Sequence, residues 1–223
     1  MMLDFSILIP YFRDFVQALG LTLALSLSGF AISSVLAALL LPARMSSVAI
    51  LRRLTWLYVE VLRNIPVLLV LYVVFFALPQ IGIKTESWVA AIVALSFNST
   101  AYLVEIYRGG LNSIPQGRYE AAAALNLNSF TLWTRILLPE ALRTAYPAIG
   151  NQLVACVLGS SLAVLIGAGE LTGLAYMVGA STFRYFETFL TVAIVYIVIV
   201  QVINFCWGKL GAQIIARNTS RRL

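Results

Sequence analysis

The chain has 223 residues, 61% of them hydrophobic and 11% charged, with a mean hydropathy of +0.93. A water-soluble domain of this size cannot cover so much apolar surface, so the bilayer is the solvent. The formal charge of +6 sits at span ends and in loops and not along one basic face, which argues against nucleic acid. With no His and two Cys, the usual zinc sites cannot be assembled and no metal is expected.

Asp4, Arg13 and Asp14 precede the first apolar run, where a signal peptide would carry a clean basic region. Phe15 to Leu41 is uncharged over 27 residues, long enough to cross a ~30 Å core with tilt, and reads as a retained first span. Arg44, Arg52 and Arg53 form a short basic loop. A second span runs over 54–78 and contains Glu60, Arg63, Asn64 and Pro66 near its start. The third covers 88–107, and the Gly109-Gly110 pair follows it. The fourth covers 145–166. Residues 167–187 read as an outer loop with a short helix, and 188–207 form the fifth span ahead of the basic tail Lys209, Arg217, Arg221 and Arg222. Cys156 and Cys206 both lie in apolar stretches and read as free thiols. There is no internal repeat and no linker to a soluble domain: one membrane domain, 1–223, all-α, with five transmembrane helices.

Five spans put the termini on opposite sides, and the positive charges choose between the two orientations. With the C-terminus cytoplasmic, eleven Lys and Arg residues lie inside and three (Arg13, Lys84, Arg184) outside. The expectation is an N-terminus outside and a cytoplasmic loop between spans 3 and 4.

That loop, 115–139, is the water-tolerant part of the chain. Pro115 can start a helix that Glu120 to Leu125 continue with strong helix formers. Asn126 stands where a left-handed helix-ending residue is wanted. Asn128 or Ser129 can cap a second helix, which is expected to stop or bend at Pro139.

Glu120-Ala121-Ala122, three residues, Asn126, nine residues, then Ile136-Leu137-Leu138-Pro139 resembles the "EAA" loop of permease subunits in binding-protein-dependent ABC importers. Six of the seven pattern positions match; Asn126 replaces Gly. Arg63-Asn64-Ile65-Pro66, Glu105-Ile106-Tyr107-Arg108-Gly109-Gly110, Ser113-Ile114-Pro115, Gly150-Asn151-Gln152 and Glu170-Leu171-Thr172 extend the resemblance to the polar amino-acid (histidine/glutamate/glutamine/arginine/opine) group. The resemblance implies that Arg118, Glu120, Ala121, Ala122, Asn126 and Leu127 couple the chain to an ATPase. It implies two ATPase subunits carrying ATP and Mg, and a second permease copy or a similar permease subunit. It also implies an extracytoplasmic amino-acid-binding protein and a bacterial inner-membrane location. No G-x-x-x-x-G-K-[ST] occurs in the chain, so ATP would sit on a partner and this chain would bind no cofactor of its own.

Polar residues inside spans are costly in lipid. Asn98, Tyr102 and Glu105 share one helical face of the third span; Gln152, Cys156, Gly159, Ser160 and Ala163 share one of the fourth. Either face lines a solute pathway or packs against a neighbouring helix. Thr22, Ser26, Gly29 and Ser33 read as packing. Arg63 beside Pro66 either meets a substrate carboxylate or snorkels, with Glu60 one turn back as its neutraliser, and Glu105 also has Arg108 as an i+3 partner. The pathway candidates are therefore Arg63, Asn64, Asn98, Tyr102, Gln152 and Ser160. Where the family group commonly shows Lys-Asp in the fourth span, Leu158-Gly159 stand here. The rival function is an ion-coupled secondary transporter or channel.

Overall fold

The computed structural model describes residues 3–219. Arg221 and Arg222 lie outside the described residues, as does the side chain of Arg217. A short 3₁₀ turn (Ser6–Tyr11) leads into α1 (Phe12–Arg44), followed by α2 (Ala49–Asn64) and α3 (Val67–Tyr72), which a π turn and a 3₁₀ turn extend to Ile81. Then come α4 (Ser87–Asn112), α5 (Gln116–Ala124) and α6 (Ser129–Thr131). A π turn (Leu132–Leu137) joins α6 to α7 (Leu138–Ser160), which a 3₁₀ turn extends to Ile166; α8 (Leu171–Thr182) and α9 (Tyr185–Thr219) complete the chain.

Among the described residues, four helical runs are long and apolar enough to cross a membrane: Ser6–Arg44, Ser87–Asn112, Ser129–Ile166 and Tyr185–Gln213. A fifth crossing requires α2 and the run Val67–Ile81 together, and these meet at 106°. The single span expected over 54–78 is thus broken. Pro66 lacks an N–H and pushes the residue before it out of the helical region; Ile65 is extended at φ −108°, ψ 141°.

One further expectation changes, and another is met. At Pro139 the helix neither stops nor bends sharply, because the wider π turn at Leu132–Leu137 precedes it and places the proline in the first turn of α7, where a missing N–H is tolerated. Residues 167–187 contain the expected short helix, α8, whose Leu171, Leu174, Ala175 and Val178 are buried against α1 and α9.

α4 is the hub, packed by α1, α2, α3 and α7. Small residues let the helix axes approach. Ala90, Ala91, Ala94 and Ala101 are fully buried, and a Cβ on Gly29 of α1 would stand 3.1 Å from the Leu95 Cβ. The small-and-polar stripe of α1 is packing: Thr22, Ser26 and Ser33 are buried and donate to the carbonyls of Ala18, Thr22 and Phe30 in their own helix.

Candidate functional site

Pro115 is extended and stands at the N-cap, and α5 starts at Gln116, as the start expected at Pro115 requires. Its end is a Schellman motif. The Asn126 N–H donates to Ala123 O (3.0 Å), the Leu127 N–H donates to Ala122 O (3.1 Å), and Asn126 takes φ 51°. Asparagine is the residue after glycine that tolerates this left-handed conformation best, which accounts for its presence at the Gly position of the loop pattern. Asn128 then caps the second helix, its Oδ1 accepting from the Thr131 N–H at 2.8 Å.

The hairpin is tied to the spans at its base. Leu111 and Ile114 from the end of α4 pack with Leu137 and Ala141 of the returning helix. A Cβ on Gly110 would lie 2.6 Å from Ala141 O, so α4 and α7 meet there backbone to backbone. Arg118 forms an ion pair with Glu140 (Nε–Oε2 3.3 Å, without hydrogen-bond geometry), joining α5 to the start of α7.

These ties sort the expected coupling residues. Ala122 is 4% exposed and faces the hairpin interior, and Arg118 is engaged with Glu140. Glu120 and Ala124 lie half a turn from Ala122, and Glu120, Ala121, Ala123 and Ala124 are exposed. Next to that small outward face, Leu125 (72% exposed) and Phe130 (77%) stand open at the tip. Sequence reading missed both, since an apolar residue in an amphipathic loop gives no sign of which way it points.

The break between α2 and α3 gathers another set. Pro66 cannot donate to the carbonyl of Leu62, and the Asn98 Nδ2 donates to it instead at 2.9 Å. Tyr102, one turn on, donates its hydroxyl to Arg63 O at 3.2 Å, and the Arg63 guanidinium lies 5.4 Å from the centre of the Tyr102 ring. Tyr58 ties α2 to α4 from the other side, donating to Phe97 O at 2.7 Å. Arg63, Asn98 and Tyr102 therefore come together with two of them repairing a broken backbone. Asn64 donates to Glu60; no Glu60–Arg63 ion pair occurs among the described residues.

Gln152 and Ser160 do not join this group. Gln152 donates to Ser99 Oγ at 3.0 Å, and Ser99 in turn contacts Cys156 Sγ at 2.8 Å; Ser160 is buried and donates to Val157 O. Glu105 has the expected Arg108 and a second partner, Arg44 of α1 (Nε–Oε1 2.9 Å). Glu170, fully buried, accepts from the N–H groups of Thr172 and Gly173 at the start of α8 (2.9 and 2.8 Å) and from the Tyr196 hydroxyl (2.9 Å). Thr22 Oγ1 accepts from the Leu171 N–H at 3.1 Å, so α1, α8 and α9 meet at this cap.

A helical membrane protein with a packed hub, a broken second span and a rigid amphipathic hairpin between its two central crossings is the architecture of an importer's membrane subunit. Residues 29–217 match the family described as "Binding-protein-dependent transport system inner membrane component", and the chain belongs to that family. It is 35% identical over 209 residues to the arginine transport system permease protein ArtQ of Bacillus subtilis, covering 92% of this chain and 94% of that protein. It is 32% identical over 212 residues to the glutamine transport system permease protein GlnP of Escherichia coli, covering 94% and 97%. A chain of the crystal structure titled "Crystal structure of an amino acid ABC transporter with histidines" superposes with a TM-score of 0.90 at 28% identity, covering 96% of this chain and 100% of that one.

Proposed function

We propose that this chain carries polar amino acids, or the related opines, across a bacterial inner membrane, driven by ATP hydrolysed on two partner ATPase subunits that dock on its α5 hairpin. The observation that carries the reading is the hairpin itself. It presents Glu120, Ala121 and Ala124 with the exposed Leu125 and Phe130, and is braced to α4 and α7 through Gly110 and Arg118. A large apolar tip on an otherwise water-tolerant loop is a protein-docking surface, and small side chains beside it let another backbone approach. Arg118 ties α5 to Glu140 of α7, and α7 meets α4 backbone to backbone at Gly110, so a push on α5 moves the helices that form the hub.

The names of the arginine and glutamine permeases among the relatives support the cargo class. The count of positive charges supports an N-terminus outside, a cytoplasmic C-terminus and a cytoplasmic hairpin. In the assembly, this permease pairs with a second copy or a similar permease and receives its cargo from an extracytoplasmic binding protein. ATP and Mg belong to the ATPase subunits.

The test is uptake of radiolabelled arginine and glutamine into proteoliposomes containing the permease, with and without co-expressed ATPase and binding protein. The reading expects uptake only with internal ATP and the ATPase present. Uptake that follows an imposed ion gradient in the absence of the ATPase would identify a secondary transporter.

A further inference from the structure

Asn98 and Tyr102, the residues that sequence spacing singles out for the pathway, are occupied in repairing α2, whereas among the open carboxamides three stand toward the middle of α7 and α9. Asn151 of α7 and Gln201 and Asn204 of α9 are exposed, lie inside the runs Ser129–Ile166 and Tyr185–Gln213, and have no side-chain hydrogen bond among the described residues.

The α7–α9 contact sets where they point. The Tyr146 hydroxyl donates to Trp207 O (2.7 Å), Trp207 Nε1 donates to Tyr146 O (3.1 Å), and the two rings stack. A Cβ on Gly150 would meet the Trp207 ring, and one on Gly211 the Tyr146 ring. Gly150 opposite Trp207, with Tyr146 opposite Gly211, makes the pair antiparallel. At about 100° per residue, Asn151 is turned from the Tyr146–Gly150 contact line in the same rotational sense as Gln201 and Asn204 are turned from the Trp207–Gly211 line. In an antiparallel pair, equal sense means the same flank. All three carboxamides therefore stand on one flank of the α7–α9 pair, within about two turns of one another. Pro147, on the same side of α7, cannot donate to the carbonyl of Arg143, and a freed carbonyl at membrane depth is tolerated where it lines a cavity. Ile194, Val198, Val202 and Phe205, the outward face of α9, are apolar.

Unpaired carboxamides do not face hydrocarbon when an apolar side chain would serve. We propose that Asn151, Gln201 and Asn204 line the water-filled solute pathway and supply donors and acceptors to the charged backbone groups of an amino acid. The pathway then follows the α7–α9 flank, and the Asn98–Tyr102 face of α4 is scaffold. This rests on the importer reading and adds the surface the cargo passes.

The experiment uses the reconstituted complex with its ATPase, in a background carrying Cys156→Ser and Cys206→Ser. Single Asn151→Cys, Gln201→Cys and Asn204→Cys variants are exposed to a charged, membrane-impermeant methanethiosulfonate, with Val198→Cys as the lipid-facing control. We expect labelling at the three positions about tenfold or more faster than at Val198→Cys, because a charged reagent does not enter hydrocarbon. We also expect that ATP changes the rate and that the modification blocks uptake. Labelling no faster than the control would overturn the proposal. So would oxidative cross-linking between permease copies at these positions without labelling, which would mark a dry protein interface. ATPase-dependent uptake by the unlabelled background is read in the same vesicles, so failure of the importer reading is seen separately.

Discussion

Valine at position 126 would attack the hairpin at one backbone torsion. Asn126 sits at φ 51°, and its N–H and that of Leu127 close the end of α5 on the carbonyls of Ala123 and Ala122. A left-handed conformation costs an ordinary L-residue ~1–2 kcal/mol, and a β-branched residue there is an outlier. That cost falls entirely on the corner, since Asn126 is exposed and removes no core packing. A loss of ~1–2 kcal/mol multiplies the open population of the corner roughly 5–30-fold. Hydrogen exchange in peptides spanning 122–128 of the assembled transporter reads this directly, and Asn126→Val should exchange faster by that factor while uptake falls. Asn126→Gly, free of the Cβ penalty, should leave both at the original level or slow the exchange. If valine changes neither exchange nor uptake, the Schellman corner does not hold α5 in its coupling position, and the reasoning fails.

Other perturbations separate scaffold from coupling. Asn98→Leu removes the donor to Leu62 O beside Pro66, and orphaning this part-buried carbonyl costs up to about 1–3 kcal/mol. The purified complex should aggregate at a lower temperature, and an unshifted transition would show that the break is satisfied in another way. Gly110→Ala forces a Cβ against Ala141 O, whereas Gly109 has nothing within 4 Å. The first should destabilise by ~1–3 kcal/mol through overpacking and weaken uptake, and Gly109→Ala should be neutral in the same assays; equal effects would contradict the close approach at the hairpin base.

Local chemistry was the legible part of this molecule. Asn126 and Asn128 announce a helix stop and a helix start because a turn is decided by a few neighbouring residues, and both do as expected. The long uncharged stretches give the spans for the same reason. Distant partners were invisible. The spacing of Asn98 and Tyr102 reveals a shared face but not that its purpose is to meet carbonyls 36 and 39 residues earlier, nor does Glu105 disclose Arg44. Proline was read correctly as a disruptor, but its position in the sequence does not say how large the disruption is. At Pro66 the chain turns by 106° inside one expected span, whereas at Pro139 a π turn absorbs the disruption. Ala122 and Ala124 are the same residue type, and only the folded hairpin decides that one is buried and the other exposed.

The claim that an ATPase seats on the outward face and tip of the hairpin is tested most directly by Leu125→Asp with Phe130→Asp. Both side chains are more than two-thirds exposed, so the free permease should fold and insert as before. The measurement is the amount of ATPase subunit that co-purifies with membrane-inserted permease. The expected result is loss of the ATPase at normal permease levels; ATPase recovered at the level of the unaltered complex, with uptake intact, would contradict the docking surface proposed for this transporter.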